Sequence, residues 1–287
     1  MRQRFAFLSF LIIIVSCHNN KQVKEQYIAK LSPMDSLIEK FAPIINGDWV
    51  RADYVEDLKK TLSPNKSYHH IGEEEWAISI DSRNTSIDSA IVYISYGGAG
   101  SEEDVTFFEP GKVPNSILLE NISQYGKSFQ LGFEIVHNDT NLILYECDST
   151  GKEISQRKYI RARNELTGND TIPSVTFSNL SYYHNKLLIS GKYSYVDSLG
   201  QKHNAEFNDF GKVTGIKNYK TYYVEGVFGQ GPGDDTDAIY FELYTKASVD
   251  YLLRIYRDSL YLYTDTFNDS TNSYGKGKLV YKLIRQK

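Results

Sequence analysis

The sequence predicts an all-β protein of two tandem antiparallel domains, each introduced by a short helix. Three observations point there. The chain of 287 residues carries 23 Tyr and 14 Phe, many of them in short alternating runs that suit half-buried strands. Those runs are separated by clusters of Gly, Asn, Asp and Ser that supply turns. The chain also repeats itself. Ile44-Ile45-Asn46-Gly47-Asp48-Trp49 has a partner in Leu188-Ile189-Ser190-Gly191-Lys192-Tyr193, and Asn141 to Tyr145 matches Ser259 to Tyr263. Both halves close on a basic-aromatic strand, Lys158 to Arg161 and Lys282 to Arg285.

At the N-terminus, Arg2 and Arg4 precede an apolar run from Phe5 to Val15. That run is short for a bilayer span and suits the core of a signal peptide. It ends in Ile14-Val15-Ser16-Cys17, which resembles the lipobox of bacterial lipoproteins. The resemblance implies cleavage after residue 16 and acylation of Cys17 with chains such as palmitate. Each buried methylene then adds about 0.8 kcal/mol of membrane affinity. Residues 17–31 read as the lipidated cysteine and a polar tether. His18 follows the cysteine where an inner-membrane retention aspartate would stand, and no acidic cluster follows it. The expected location is the outer membrane, with the body facing the periplasm.

The first domain is expected over residues 32–163. Ser32 would cap a helix that starts at Pro33, with Leu37, Ile38 and Phe41 on one face. A second helix is expected from Asp53, its cap, to Pro64, its stop, with Val55, Leu58 and Leu62 inward. Strand faces follow at Phe129, Leu131, Phe133 and Ile135. Residues 164–173, polar with Gly and Pro, read as a linker to a second domain at 174–287. There Ile239, Phe241 and Leu243 share a face, as do Leu279, Tyr281 and Leu283. Asn138-Asp139, Asp148 to Gly151, Leu199-Gly200 and Arg257-Asp258 are the expected hairpin turns.

Removing residues 1–16 leaves 30 basic against 36 acidic residues, about −6 in net charge. That balance argues against nucleic acid as a partner and against an electrostatic hold on anionic lipid. With Cys17 acylated only Cys147 remains, so no intramolecular disulfide can form and stability rests on apolar burial.

A Gly-x-Trp or Gly-x-Tyr on a first strand, after a short helix and before up-and-down strands, resembles the lipocalin-like domains. The resemblance implies two tandem antiparallel lipocalin-like barrels, with the motif aromatic packed at the closed end against a last-strand arginine. It pairs Gly47 and Trp49 with Arg161 or Arg163, and Gly191 and Tyr193 with Arg285. Closure would also remove exposed strand edges. An eight-stranded barrel is either filled by its own side chains or holds one small ligand. A β-sandwich of the same strands is the structural alternative.

Motifs that would carry chemistry are sparse. The loop Gly226 to Asp237 brings Asp234, Asp235 and Asp237 together, but it lacks EF-hand spacing and reads as a solvated hairpin tip before a metal site. Gly97 to Asp104 has the same character, glycines followed by acids. His69 and His70 stand near Glu73 to Glu75, on opposite faces if the segment is a strand. His137, His184 and His203 stand alone beside turns, and Cys147 at a strand end reads as an inert thiol. No nucleophile elbow, phosphate loop, His-Glu-x-x-His or Cys-x-x-Cys is present. The sequence therefore predicts no catalytic residues and no cofactor. It points to a non-enzymatic envelope lipoprotein that binds a small apolar ligand or a protein partner. A structural or assembly module with filled barrels is the alternative, and an envelope glycan or lipid hydrolase a more distant one.

Overall fold

The computed structural model describes residues 33–71, 75–82, 88–96, 100–124, 127–162, 179–225, 237–268 and 273–287. Cys17, Ser32, the linker at 164–173, and Asp234 with Asp235 lie outside those residues. Among the described residues no helix is long and apolar enough to cross a membrane.

Among the described residues the strands form two eight-stranded antiparallel sheets. Helix α1 (Pro33–Ile45) leads into β1 (Gly47–Arg51), which runs straight into α2 (Ala52–Thr61) and α3 (Pro64–Ile71). Seven strands complete the first sheet: β2 (Glu75–Asp81), β3 (Ser89–Tyr96), β4 (Gly100–Phe107), β5 (Ser116–Gln124), β6 (Lys127–Val136), β7 (Asp139–Cys147) and β8 (Glu153–Arg161). The second half starts with α4 (Asn179–His184) and a π-turn, Asn185–Ile189. Its strands are β9 (Gly191–Val196), β10 (Lys202–Phe207), β11 (Val213–Thr214), β12 (Tyr222–Val224), β13 (Asp237–Phe241), β14 (Val249–Tyr256), β15 (Ser259–Asn268) and β16 (Ser273–Arg285).

In both sheets chain neighbours pair with each other and the first strand pairs with the last. The orders are β4-β3-β2-β1-β8-β7-β6-β5 and β11-β10-β9-β16-β15-β14-β13-β12. Each sheet curls until its outer strands approach, and a single bridge joins them: Pro110 to Ile117 in the first, Lys212 to Thr221 in the second. This up-and-down path needs only short turns. Three of them are built alike, Asp148 to Lys152, Asp197 to Gln201 and Asn208 to Lys212. In each, the first side chain's Oδ1 accepts two backbone N–H groups, at 2.9–3.0 Å. The fourth residue is a glycine with φ between 71° and 79°, a conformation that costs other residues energy.

Inward-facing residues fill the first barrel. Phe41, Ile45, Trp49, Ile78, Phe129, Leu131 and Tyr159 are fully or almost fully buried there. In the second barrel Tyr193, Phe207, Tyr222, Ile239, Phe241, Leu262 and Leu283 do the same work. Each such side chain contributes about 1.5–3 kcal/mol on leaving water. The segment between β11 and β12 folds back into the second barrel's mouth. Ile216 is fully buried, and Tyr219 stacks on Phe241 with ring centroids 4.6 Å apart.

Several local expectations need correction. Asp53 does not cap α2, because β1 passes into the helix without a break and Arg51 holds the cap position. Asp53 lies in the first turn and pairs with Arg51 Nε at 2.8 Å. Leu62 in a left-handed conformation (φ 51°) ends α2, and Pro64 opens the next helix. His69 and His70 are therefore helical, and His70 Nδ1 meets Asp57 Oδ2 at 3.0 Å. Residues 100–107 are strand, not loop, with Glu102 to Asp104 paired along β3. The β6–β7 turn is His137-Asn138, both at positive φ, so Asp139 already pairs with Val136. Ile135 is 62 % exposed because β6 outruns the core near that turn.

Candidate binding surfaces at the junction of the two barrels

The Gly-x-aromatic motifs sit at equivalent places. Gly47 and Gly191 open the first strands at φ 123° and 144°, values that strain any residue with a side chain. A Cβ on Gly191 would also lie 3.2 Å from Arg285 Nη1. Two residues on, Trp49 pairs across the sheet with Arg161, and Tyr193 with Arg285. The Arg161 guanidinium lies 4.2 Å from the Trp49 ring, and that of Arg285 lies 5.2 Å from the Tyr193 ring. Each arginine also donates to two carbonyls of the chain entering its strand: Arg161 to Asn46 and Ile44, Arg285 to Ser190 and Leu188. Trp49 Nε1 donates to the Ile45 carbonyl at 2.7 Å, and the Tyr193 hydroxyl to the Ile189 carbonyl at 2.6 Å. Burial pushes the Tyr193 hydroxyl up to about 12. These groups are fully engaged in closing the barrels.

Between the barrels, the first barrel's wall is buried as deeply as its interior. Val50 and Ala77 alternate outward from Trp49 and Ile78, yet they are 0 % and 2 % exposed. They join Tyr54, Leu58 and Trp76 in one apolar cluster with Leu188 and Ile189 of the second half. Tyr54 Oη meets His184 Nε2 at 2.6 Å inside it. Burial holds the imidazole near a pKa of about 4, so it is neutral. Because His184 Nδ1 faces the Val224 carbonyl at 3.5 Å, Nδ1 carries the proton and Nε2 accepts from the tyrosine. Tyr183 adds a second tie, its hydroxyl donating to the Arg161 carbonyl at 2.8 Å.

Asp237 lies at the same junction rather than in a solvated loop tip. It is the first residue of β13, and its Oδ1 accepts the Asn65 N–H of α3 at 2.9 Å. Burial raises its pKa to about 6, against the opposing pull of Asn65, Ser63 and Lys66. Two clefts flank the junction. One of about 450 Å³ lies between the α2–α3 corner and the outer face of β14 to β16, with Asp237 in its wall. The other, about 550 Å³, lies between the β6–β7 turn region, Arg161 and Tyr183.

The remaining sequence candidates are dispersed. Cys147 is buried, accepts from Gln130 Nε2 at 3.2 Å, and has its thiol pKa raised by burial. His203 on β10 pairs with Asp197 at 2.8 Å. Among the described residues no three His, Cys, Asp or Glu side chains are grouped to hold a metal. Sequence reasoning missed the Tyr54–His184 pair. Nothing local marks it, since its partners are 130 residues apart.

No family model matches the chain, and no curated protein does either. A solved structure of a DUF3598-family protein of unknown function from Nostoc punctiforme overlaps 84 % of this chain and 96 % of its own. Its identity is 12 % and its TM-score 0.21. A similarity that low carries neither fold nor function across.

Proposed function

We propose that this is a lipid-anchored, non-enzymatic protein of the Gram-negative outer membrane with two tandem lipocalin-like barrels. Acylated Cys17 would hold it to the membrane on the periplasmic side, with residues 18–31 as tether. The body acts as an interaction or assembly module that meets its envelope partner through outer surfaces. One observation supports this over a barrel-borne apolar ligand: the inward positions carry bulky side chains. Trp49, Phe129 and Tyr159 occupy the first interior, while Phe207, Tyr222 and Phe241 occupy the second. Ile216 and Tyr219 also cover the second mouth. Eight-stranded barrels have only enough room for such a filling or for one small ligand.

Two measurements test the reading. Cys17→Ala should move the protein from the membrane to the soluble fraction, and a variant still in the membrane contradicts the anchor. A fluorescent fatty acid should find no saturable site on the parent protein. Tight, one-to-one uptake would restore the ligand-carrying alternative.

A further inference from the structure

The 450 Å³ junction cleft combines features that the barrel interiors lack. Along β14 the buried Leu253 alternates with Arg254 and Tyr256, which face out. Tyr263 on β15 and Lys276 on β16 share that outer face, and Lys66 of α3 stands on the opposite wall. The Asp237–Asn65 bond, 2.9 Å, ties β13 to the start of α3 and so links the two walls. The volume suits a small ligand.

Charge is the unusual part. The chain is acidic overall, yet Lys66, Arg254 and Lys276 converge on one cleft. Among the described residues none of the three belongs to an ion pair with a carboxylate within 4.0 Å. Lys276 Nζ lies over the Tyr263 ring, 3.9 Å from its centroid, and its register partner on β15 is Asp265. Asp237, the one carboxylate among the described residues of the wall, accepts from Asn65, and burial raises its pKa against the opposing pull of Lys66. Among the described residues its lining carries three basic side chains and one engaged carboxylate, a balance that favours an anion.

We propose that this cleft binds a small anionic group, a phosphate or carboxylate, between Lys66 on one wall and Arg254 with Lys276 on the other. Arg254 supplies a planar fork suited to two oxygens, and the lysines act as point charges. Envelope saccharides and lipid headgroups both carry such groups.

The test uses the mature lipidated protein in neutral phosphatidylcholine nanodiscs, titrated calorimetrically with inorganic phosphate and with glucuronate. Saturable binding is expected for at least one probe, weakening as salt rises. Arg254→Gln with Lys276→Gln should weaken it about tenfold or more, the loss expected for one charge-assisted hydrogen bond. Lys66→Gln, on a separate element, repeats the test should the first variant fold poorly. Lys192→Gln, away from the cleft, should bind as the parent does. Adding phosphatidylglycerol to the disc separates the sources: suppression of probe binding assigns a lipid headgroup, and no suppression a soluble saccharide or phosphate. Absence of saturable binding, or equal binding by the cleft variants, overturns the proposal.

Discussion

The two barrels close in the same way but are covered differently. Arg161 and Arg285 each lie over the first-strand aromatic and donate to the carbonyls three and five residues before it, Asn46 with Ile44 and Ser190 with Leu188. Beyond that shared clamp the halves diverge. The first barrel has residues 52–74 between β1 and β2, and uses α2 and α3 to cover its outer wall. The second passes from β9 to β10 through a five-residue turn, and turns a loop inward over its own mouth. The comparison teaches that the motif specifies closure, while the insertions decide what each barrel meets. Helices α2 and α3 provide the surface for the other half, and the Ile216 loop fills an interior.

Substitutions can probe that division, beginning with the largest expected effect. Trp49→Ala should cost about 3–5 kcal/mol, the range for emptying a large buried aromatic site. Tyr193→Ala should fall near the lower end, because the ring is smaller. Urea denaturation would check both, and a cost under 1 kcal/mol at either position would show that the motif aromatic does not support its barrel. Arg161→Ala should follow at about 2–4 kcal/mol, from the stacked ring and two charged hydrogen bonds. Arg285→Ala should cost less, since its guanidinium stands 5.2 Å from the ring against 4.2 Å. Lysine should rescue neither, because one ammonium cannot fork to two carbonyls. Equal losses in the two halves would contradict the ranking.

The junction has its own pH signature. Asp237 has a folded pKa raised from 3.8 to about 6, so its protonated form is favoured on folding. Its contribution is present below about pH 4 and is lost as pH rises through 6, about 3 kcal/mol. His184 runs the other way. Its pKa falls from 6.5 to about 4, so stability present above pH 6.5 is lost as pH drops toward 4. Asp237→Asn should therefore gain on the parent between pH 4 and 7, and parallel stability profiles for the two proteins would refute the assignment. The smallest effect belongs to the plug. Lys217 Nζ lies 5.7 Å from the Tyr219 ring and 5.9 Å from the Tyr281 ring, at an exposed site. Lys217→Ala should cost about 0.5–1 kcal/mol in chemical denaturation, and a loss above 2 kcal/mol would mean the loop is held differently.

Much of the fold was legible in the residues. The repeat at 44–49 and 188–193, the alternation at Ile239 and Phe241, and the turn at Arg257-Asp258 all depend on local pattern, which the chain displays directly. What local pattern could not supply was the effect of neighbours. Asp53 looks like a cap, but β1 continues into the helix and leaves the cap to Arg51. His69 and His70 read as strand or loop because Pro64 looks like a stop, whereas Leu62 ends one helix and the proline starts another. Asp237 shares a loop with other carboxylates in the sequence, yet pairing with β14 and the Asn65 amide draws it into the junction. The same holds for Tyr54 and His184, whose meeting depends on how the halves pack.

The central claim is that both barrels are filled and that the protein works from its outside. Native mass spectrometry of the full-length protein purified from its host would address it most directly. The account predicts one species, the polypeptide with whatever it carries covalently, unchanged when free lipids are added. A further lipid-sized mass held at one or two per chain, and lost only on unfolding, would contradict it.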